Sequence, residues 1–130
     1  MDLKDDIVAI STPTGMGAIA LIRIAGDNAL KKVEPFFKSR KAGSISNIKS
    51  HSIIYGDFIY EDEIIDEVVL SYFAKGKSFT GQETVEISCH GSTYIQKTII
   101  EKLLTNNIRL AKAGEFTMRA FLNGKFDLTQ

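Results

Sequence analysis

The hydrophobic spacing of this chain switches between two periods, and that switch constrains its fold more than any other feature. Strands place apolar side chains at every second residue, whereas helices repeat them every three to four residues. Runs rich in β-branched and aromatic residues predict six strands. These runs are Ile7–Ser11, Ile19–Ala25, Ser52–Tyr60, Ile64–Ala74, Thr84–His90 and Ile108–Lys112. The chain is therefore expected to form a sheet.

Helical spacing occurs in three segments between and after those runs. Asp27 is predicted to cap a first helix that ends near Phe37. Ser92 is predicted to cap a second helix, which the Asn106-Asn107 pair ends. A third, short helix is predicted over residues 114–124. Its apolar side consists of Phe116, Ala120 and Phe121.

The resulting order of elements is β-β-α-β-β-β-α-β-α. This order predicts an α+β fold, in which a mixed sheet has its helices packed on one face. Residues 38–50 lack a clear period and are expected to form a surface loop, and residues 61–63 separate two strand runs and predict a hairpin. In the fifth strand run, alternation places Val85 and Ile87 on one face of the sheet and Glu86 on the other.

The composition fits a single globular domain over residues 1–130. Hydrophobic residues make up 44% of the chain and charged residues 25%, so the chain can bury a core. Sixteen Lys and Arg balance sixteen Asp and Glu. Because no dense basic run is present, tight non-specific binding to a nucleic-acid backbone is not expected.

The amino terminus and the cysteine content indicate a compartment. Residues 1–6 are acidic, whereas a signal peptide begins with a basic region, and no apolar run approaches the ~18 residues of a membrane helix. The single cysteine, Cys89, cannot form an internal disulfide, and a free thiol suits a reducing compartment. The chain is therefore predicted to be cytoplasmic, without a membrane partner.

Three motifs that suggest chemistry are rejected on their context. Gly15-Met16-Gly17 opens a strand instead of the helix that a dinucleotide pyrophosphate needs. Gly76-Lys77-Ser78 resembles the end of a P-loop, but Ser71 stands where that motif requires glycine. Cys89 and His90 are strand neighbours that point to opposite faces, which indicates a structural cysteine. No catalytic residue and no metal site are predicted.

Three side chains remain as binding candidates, each with a plain alternative. Arg23 interrupts an apolar row, where it either extends to water or holds an anion. Glu86 lies in a polar row that is either a solvated face or a ligand face. Lys125 follows Asn123-Gly124 and by itself is an ordinary loop lysine.

Three blocks of sequence closely resemble the amino-terminal domain of the MnmE (TrmE) tRNA-modification GTPases. They are Asp6–Gly26, Ser78–Gly91 and Ala113–Gln130. The third block, which contains Gly-Glu-Phe-Thr-Met-Arg-Ala-Phe-Leu-Asn-Gly-Lys, is very specific. The chain differs from the family at Met16, where an arginine is usual, and this removes a guanidinium that could contact an anion from that loop.

The resemblance implies a folate-binding and dimerisation domain, similar in fold to the tetrahydrofolate-binding domain of the glycine-cleavage aminomethyltransferase. The family's folate contacts fall on Arg23, Glu86 and Lys125. The ligand implied is a tetrahydrofolate derivative, 5-formyl- or 5,10-methylene-tetrahydrofolate. A pterin presents adjacent N–H donors, which a carboxylate such as Glu86 can accept in a fork.

The resemblance also implies a longer protein. The capping-box spacing of Asp127–Gln130 predicts the start of another helix, so the chain is expected to be a fragment. In the family, a G domain that uses GTP, Mg²⁺ and K⁺ follows, and a homodimer works with the flavoprotein MnmG (GidA) on the wobble uridine of tRNA. Two alternatives stay open: a structural dimerisation module without a ligand, and a folate-dependent one-carbon transferase domain.

Overall fold

A single mixed sheet of seven strands organises the chain in the computed structural model, which describes residues 4–12, 17–41, 43–78 and 80–124. In chain order the strands are β1 (Ile7–Ile10), β2 (Ile19–Gly26), β3 (Phe37–Ser39), β4 (Ser52–Tyr60), β5 (Glu63–Phe73), β6 (Glu83–His90) and β7 (Arg109–Leu110). Their order across the sheet is β3-β4-β5-β6-β2-β1-β7. Only β1 and β7 pair in parallel, and the other neighbours are antiparallel. The α+β class and the mixed sheet are therefore confirmed.

Three helices accompany the sheet within the described residues: α1 (Ala29–Val33), α2 (Thr93–Leu104) and α3 (Glu115–Leu122). The prediction of Ser92 as a cap is confirmed, because its side chain accepts a hydrogen bond from Ile95 N at 3.3 Å. None of these helices combines the length and apolar character needed to cross a membrane.

The first helix is shorter than predicted and is capped differently. It ends at Val33, and a 3₁₀ turn over Glu34–Phe36 contains Pro35, which has no N–H to continue a helix. The expected end near Phe37 was wrong for this reason. The Asp27 cap was also wrong: Asn28 N instead donates to Asp6 Oδ1 at 2.9 Å.

The loop predicted over residues 38–50 begins with strand residues. The short edge strand β3 pairs Phe37 with Phe58 and Ser39 with Gly56. A side chain at Gly56 would lie 2.4 Å from the Lys38 carbonyl, so glycine permits this close pairing. Three residues are too few to show an alternating pattern, and the sequence therefore gave no sign of β3.

The two faces of the sheet differ sharply. On the helix-covered face, side chains of β2 and β6 are buried against α1 and α2; they include Ile22, Ile24, Val85 and Ile87, all 0% exposed. The other face, named here the Arg23 face, is formed by the alternate residues of the same strands. Helices were predicted on one face only. That holds for α1 and α2, but α3 places Phe116 beside Arg23 on the Arg23 face.

The hairpin between β4 and β5 is confirmed, and its turn is tighter than predicted. Only Glu61 and Asp62 connect the strands, and their φ angles are 49° and 66°. Two consecutive positive φ values are typical of a type I′ turn, whose twist matches that of the flanking strands. The turn therefore sets the pairing of Ile59 with Ile64 and Tyr60 with Glu63, and a register shift between Phe58 and Ile59 separates this pairing from the rest of the two strands.

Candidate functional site

Two of the predicted ligand contacts, Arg23 and Glu86, lie directly opposite each other on β2 and β6. The Nε and Nη2 atoms of Arg23 are each 2.7 Å from Glu86 Oε2. The two side chains are 23% and 18% exposed, so the pair is half-buried and still reachable from solvent. The structure thus joins two residues that stand 63 positions apart in the sequence.

The bonds of this ion pair leave hydrogen-bonding capacity toward solvent. Both recorded bonds from Arg23 end on the same oxygen, Oε2 of Glu86. A carboxylate has about four acceptor positions over its two oxygens. Oε1 can therefore accept a hydrogen bond from a ligand donor while the ion pair with Arg23 stays formed.

An aromatic ring lies next to the ion pair. The Phe116 ring, from α3, has its centroid 5.8 Å from Cζ of Arg23. At this distance a guanidinium is attracted to the ring electrons. A charged donor, a carboxylate and an aromatic ring therefore lie together on the Arg23 face, a combination suited to a planar ligand with polar edges.

A shallow groove continues along the same face beyond the ion pair. It encloses about 280 Å³, and its lining includes Ile19, Tyr55, Val69, Ser88 and His90. Ser88 follows Glu86 by two residues and therefore lies on the same side of β6. The groove gives a ligand at the ion pair a mostly apolar surface along which to extend.

The third predicted contact, Lys125, lies outside the described residues, as does Met16. The structure describes the helix that leads toward Lys125: α3 ends at Leu122, and Asn123 N and Gly124 N donate to carbonyls of the last turn. A role for Lys125 stays a prediction.

A buried charged network underlies α3, and the sequence reasoning missed it. The predicted apolar side of this helix was wrong in part: Ala120 is buried as expected, but Glu115 and Arg119 are buried beside it at 0% exposure. Phe116 and Phe121 are only half-buried. The four-residue spacing of Glu115 and Arg119, which brings such side chains together on a helix, was the available signal.

Glu115 is held as a carboxylate by several donors. Arg109 donates from Nη1 and Nη2 to its two oxygens at 2.8 and 2.6 Å, Lys112 N donates at 2.9 Å, and Arg119 Nη2 donates at 3.0 Å. The bonds from Arg109 are the main reason that the pKa of Glu115 falls to about 2, although burial acts against that shift. The carboxylate therefore stays charged inside the protein.

The Cys89-His90 pair has the structural character that the sequence predicted for the cysteine. Cys89 is buried on the helix-covered face, and burial, assisted by Asp66, raises the pKa of its thiol to about 11. His90 instead bonds Asp66, with Nδ1 2.7 Å from Oδ1. Within the described part of the chain, no three His, Cys, Asp or Glu side chains are grouped to hold a metal ion.

Comparison with known proteins gives consistent matches over the whole chain. The family model described as "GTP-binding protein TrmE N-terminus" matches residues 6–125. Proteins named "tRNA modification GTPase MnmE" are similar: 50% identical in Christiangramia forsetii, 51% in Flavobacterium psychrophilum and 46% in Clostridioides difficile. Each match covers 100% of this chain but only 27–28% of the relative.

The matched range contains β1 through α3, together with Arg23, Glu86 and the buried network under α3. The resemblance inferred from the three sequence blocks is thereby confirmed. With a family model over nearly its full length and relatives at about half identity, this chain belongs to the TrmE amino-terminal family.

Proposed function

We propose that this domain binds a tetrahydrofolate derivative, either 5-formyl- or 5,10-methylene-tetrahydrofolate, through Arg23, Glu86 and Lys125. The observation that carries the proposal is the half-buried Arg23–Glu86 ion pair with the Phe116 ring beside it. Family membership supports it, because the resemblance implies folate contacts at Arg23 and Glu86 and the matched range contains both residues.

The chemistry of the ligand fits this arrangement. The aminopyrimidine edge of a pterin offers adjacent N–H donors, and a carboxylate is the acceptor that suits two donors side by side. Arg23 suits the oxygen-bearing parts of the ligand, since a guanidinium is a planar, always charged donor that matches carboxylate geometry. The neighbouring Phe116 ring offers a flat apolar surface to the pterin.

The proposal extends to dimerisation and to the fold relationship. Ile19 and Ile53 belong to the Arg23 face and are 68% and 73% exposed, and Tyr55 beside them is 48% exposed. Exposed apolar groups on one face support a self-complementary interface between two copies.

We also propose similarity in fold to the folate-binding domain of the glycine-cleavage aminomethyltransferase.

The whole-protein role is proposed from the relatives, of whose length this chain spans about a quarter. In that role, the domain belongs to a cytoplasmic GTPase that acts with the flavoprotein MnmG (GidA) on the wobble uridine of tRNA. The parts of the relatives that this chain does not cover would hold GTP, Mg²⁺ and K⁺.

Substitution of Glu86 by Gln tests the ligand site. The change keeps the shape but replaces one acceptor oxygen by a donor, which then faces a ligand donor. Because charge-assisted bonds contribute about 1.5–3 kcal/mol each, affinity for 5-formyltetrahydrofolate should fall at least about tenfold in calorimetric titration. Glu63→Gln, at an exposed position where β5 begins, is the matched control. Unchanged affinity in Glu86→Gln would refute the assigned role.

A structural dimerisation module without a ligand is the second candidate. The observation in its favour is that Arg23 and Glu86 already satisfy each other, while apolar side chains stay exposed beside them. A dimeric mass in sedimentation, combined with no heat of folate binding to the unmodified chain, would favour this candidate over the folate site.

A further inference from the structure

The largest side chains that α3 buries are charged, those of Arg119 and Glu115. Among its described residues only Glu115, Arg119 and Ala120 are buried. The main hydrophobic core, as far as the described residues define it, receives no side chain from α3. The position of this helix therefore depends on directional polar bonds.

Arg119 bonds two separate parts of the chain outside α3, and one residue of α3 itself. Its Nη1 donates to the Asp5 carbonyl at 2.7 Å and to Gln82 Oε1 at 2.9 Å, and its Nη2 donates to Glu115 Oε2 at 3.0 Å. Asp5 precedes β1 and Gln82 precedes β6, and these two strands flank β2 in the sheet. Since a guanidinium is planar with donors in fixed directions, these bonds together specify one position of α3.

That position determines where the Phe116 ring lies. Phe116 stands three residues before Arg119 on the same helix, a spacing at which residues are neighbours on a helix surface. From there its ring reaches Arg23 on β2. This strand lies between β1 and β6, the two strands that Asp5 and Gln82 precede. The bonds of Arg119 and the ring next to the ion pair are therefore mechanically linked.

We propose that Arg119 is a positioning residue for the candidate site, because its bonds to Asp5 and Gln82 hold α3 where Phe116 lies against Arg23. A buried ion pair contributes little net stability, since desolvation offsets the attraction, but it can specify one arrangement of packed elements. The positioning rests on the contacts alone, whereas its effect on affinity rests on the proposed folate function.

The first test needs no ligand. In the unmodified chain, the Phe116 ring current should shift the NMR resonances of the Arg23 side chain, and Phe116→Leu gives their values without the ring. Arg119→Lys should move the Arg23 resonances to the values seen in Phe116→Leu, with the methyl resonances of Ile22 and Val85 unchanged. Arg40→Lys is the matched control, since Arg40 also forms a two-bond pair, with Asp57, elsewhere in the molecule.

Gln82→Met provides a second variant in case Arg119→Lys does not fold, because it removes one acceptor and keeps the length of the side chain. Arg23 resonances that stay at their original values in folded Arg119→Lys or Gln82→Met would overturn the positioning role. A shift to the Phe116→Leu values in each variant that folds, absent in Arg40→Lys, supports it.

The second test measures 5-formyltetrahydrofolate affinity in the same variants. Loss of the ring contact should weaken binding about twofold to fivefold in Arg119→Lys and Phe116→Leu alike. If these variants bind 5-formyltetrahydrofolate as tightly as the unmodified chain does, although their Arg23 resonances are displaced, the proposed effect of positioning on affinity is overturned. If the unmodified chain binds no folate, the proposed function fails, while the resonances still decide the positioning.

Discussion

On β6, Val85 and Ile87 are completely buried beneath the helices, whereas Glu86, between them, forms an ion pair on the other face. The same contrast holds on β2, where Ile22 and Ile24 are completely buried and Arg23, between them in sequence, lies on the other face. Residues one position apart thus have opposite surroundings. Because a strand directs successive side chains to opposite faces, it can add to the core and to a polar site at the same time.

Substitutions of neighbouring residues can therefore affect stability and the candidate site separately. The helix-covered face is close-packed, so a lost side chain leaves a cavity there. On the Arg23 face the ion pair lies against the Phe116 ring, so a substitution of Arg23 or Glu86 changes polar contacts and leaves the helix-covered core in place.

The largest effect is expected for Ile87→Ala on the helix-covered face. Ile87 is 0% exposed, and removal of its outer carbons should lower the free energy of unfolding by about 2–5 kcal/mol in urea titration. Ser88→Ala, its neighbour on the Arg23 face, should change that free energy by less than about 1 kcal/mol. Equal losses in the two variants would contradict the division between faces.

Thiol labelling should separate the same two faces. Cys89 is buried and the pKa of its thiol is raised to about 11, so native protein at pH 8 should react very slowly. Ser88→Cys places an ordinary thiol on the Arg23 face, where reaction should be at least about a hundredfold faster because the thiolate fraction is larger. Fast reaction of the unmodified chain would show that Cys89 is not enclosed.

Acid should weaken the attachment of α3. The pKa of Glu115 lies near 2 in the folded chain, below its ordinary value of 4.5, so the unfolded chain binds more protons between these values. Stability from this carboxylate is complete above pH 4.5 and is lost as pH falls toward 2. Glu115→Gln should lower the Tm at pH 6 and reduce its dependence on pH between 5 and 2. A pH dependence identical to that of the unmodified chain would refute this assignment.

The smallest effect is expected at an exposed ion pair on α2. Lys97 and Glu101 are 4.0 Å apart, with side chains 76% and 55% exposed. Glu101→Gln should change the free energy of unfolding by less than about 0.5 kcal/mol, since water and salt screen such a pair. A loss above about 1 kcal/mol would mean that α2 depends on its outer surface more than on Ile99 and Leu103 beneath it.

Much of the local structure could be predicted from the sequence. The alternation of Val85, Glu86 and Ile87 places them on the faces where they lie, and Ser92 caps its helix as expected. The strand β3 could not be predicted, because only its pairing with β4 makes it a strand. The capping of α1 could not be predicted either, since Leu30 N donates a hydrogen bond to Glu83 Oε1, which belongs to the distant strand β6.

The candidate site shows the same limit. Arg23, Glu86 and Lys125 could be named because the family resemblance singles out those positions, but the pairing of Arg23 with Glu86 is a matter of strand order. Arg119 was not among the residues predicted for the apolar side of the third helix, and its burial involves Asp5 and Gln82, which come from distant parts of the chain. Sequence spacing shows which residues are neighbours on one helix or strand, whereas burial of a charged group depends on distant segments that pack around it.

The sequence by itself therefore determined the period of the longer strands and of α2, and with it the faces on which their side chains lie. These are local properties, set by backbone geometry within a few residues. Only the tertiary structure decided that β2 lies between β6 and β1, which puts Arg23 opposite Glu86 and under α3. The physical reason is that Arg23 and Glu86 are 63 positions apart in sequence, and the pairing of their strands is selected by the packing of the entire core. No short segment of the sequence contains that information.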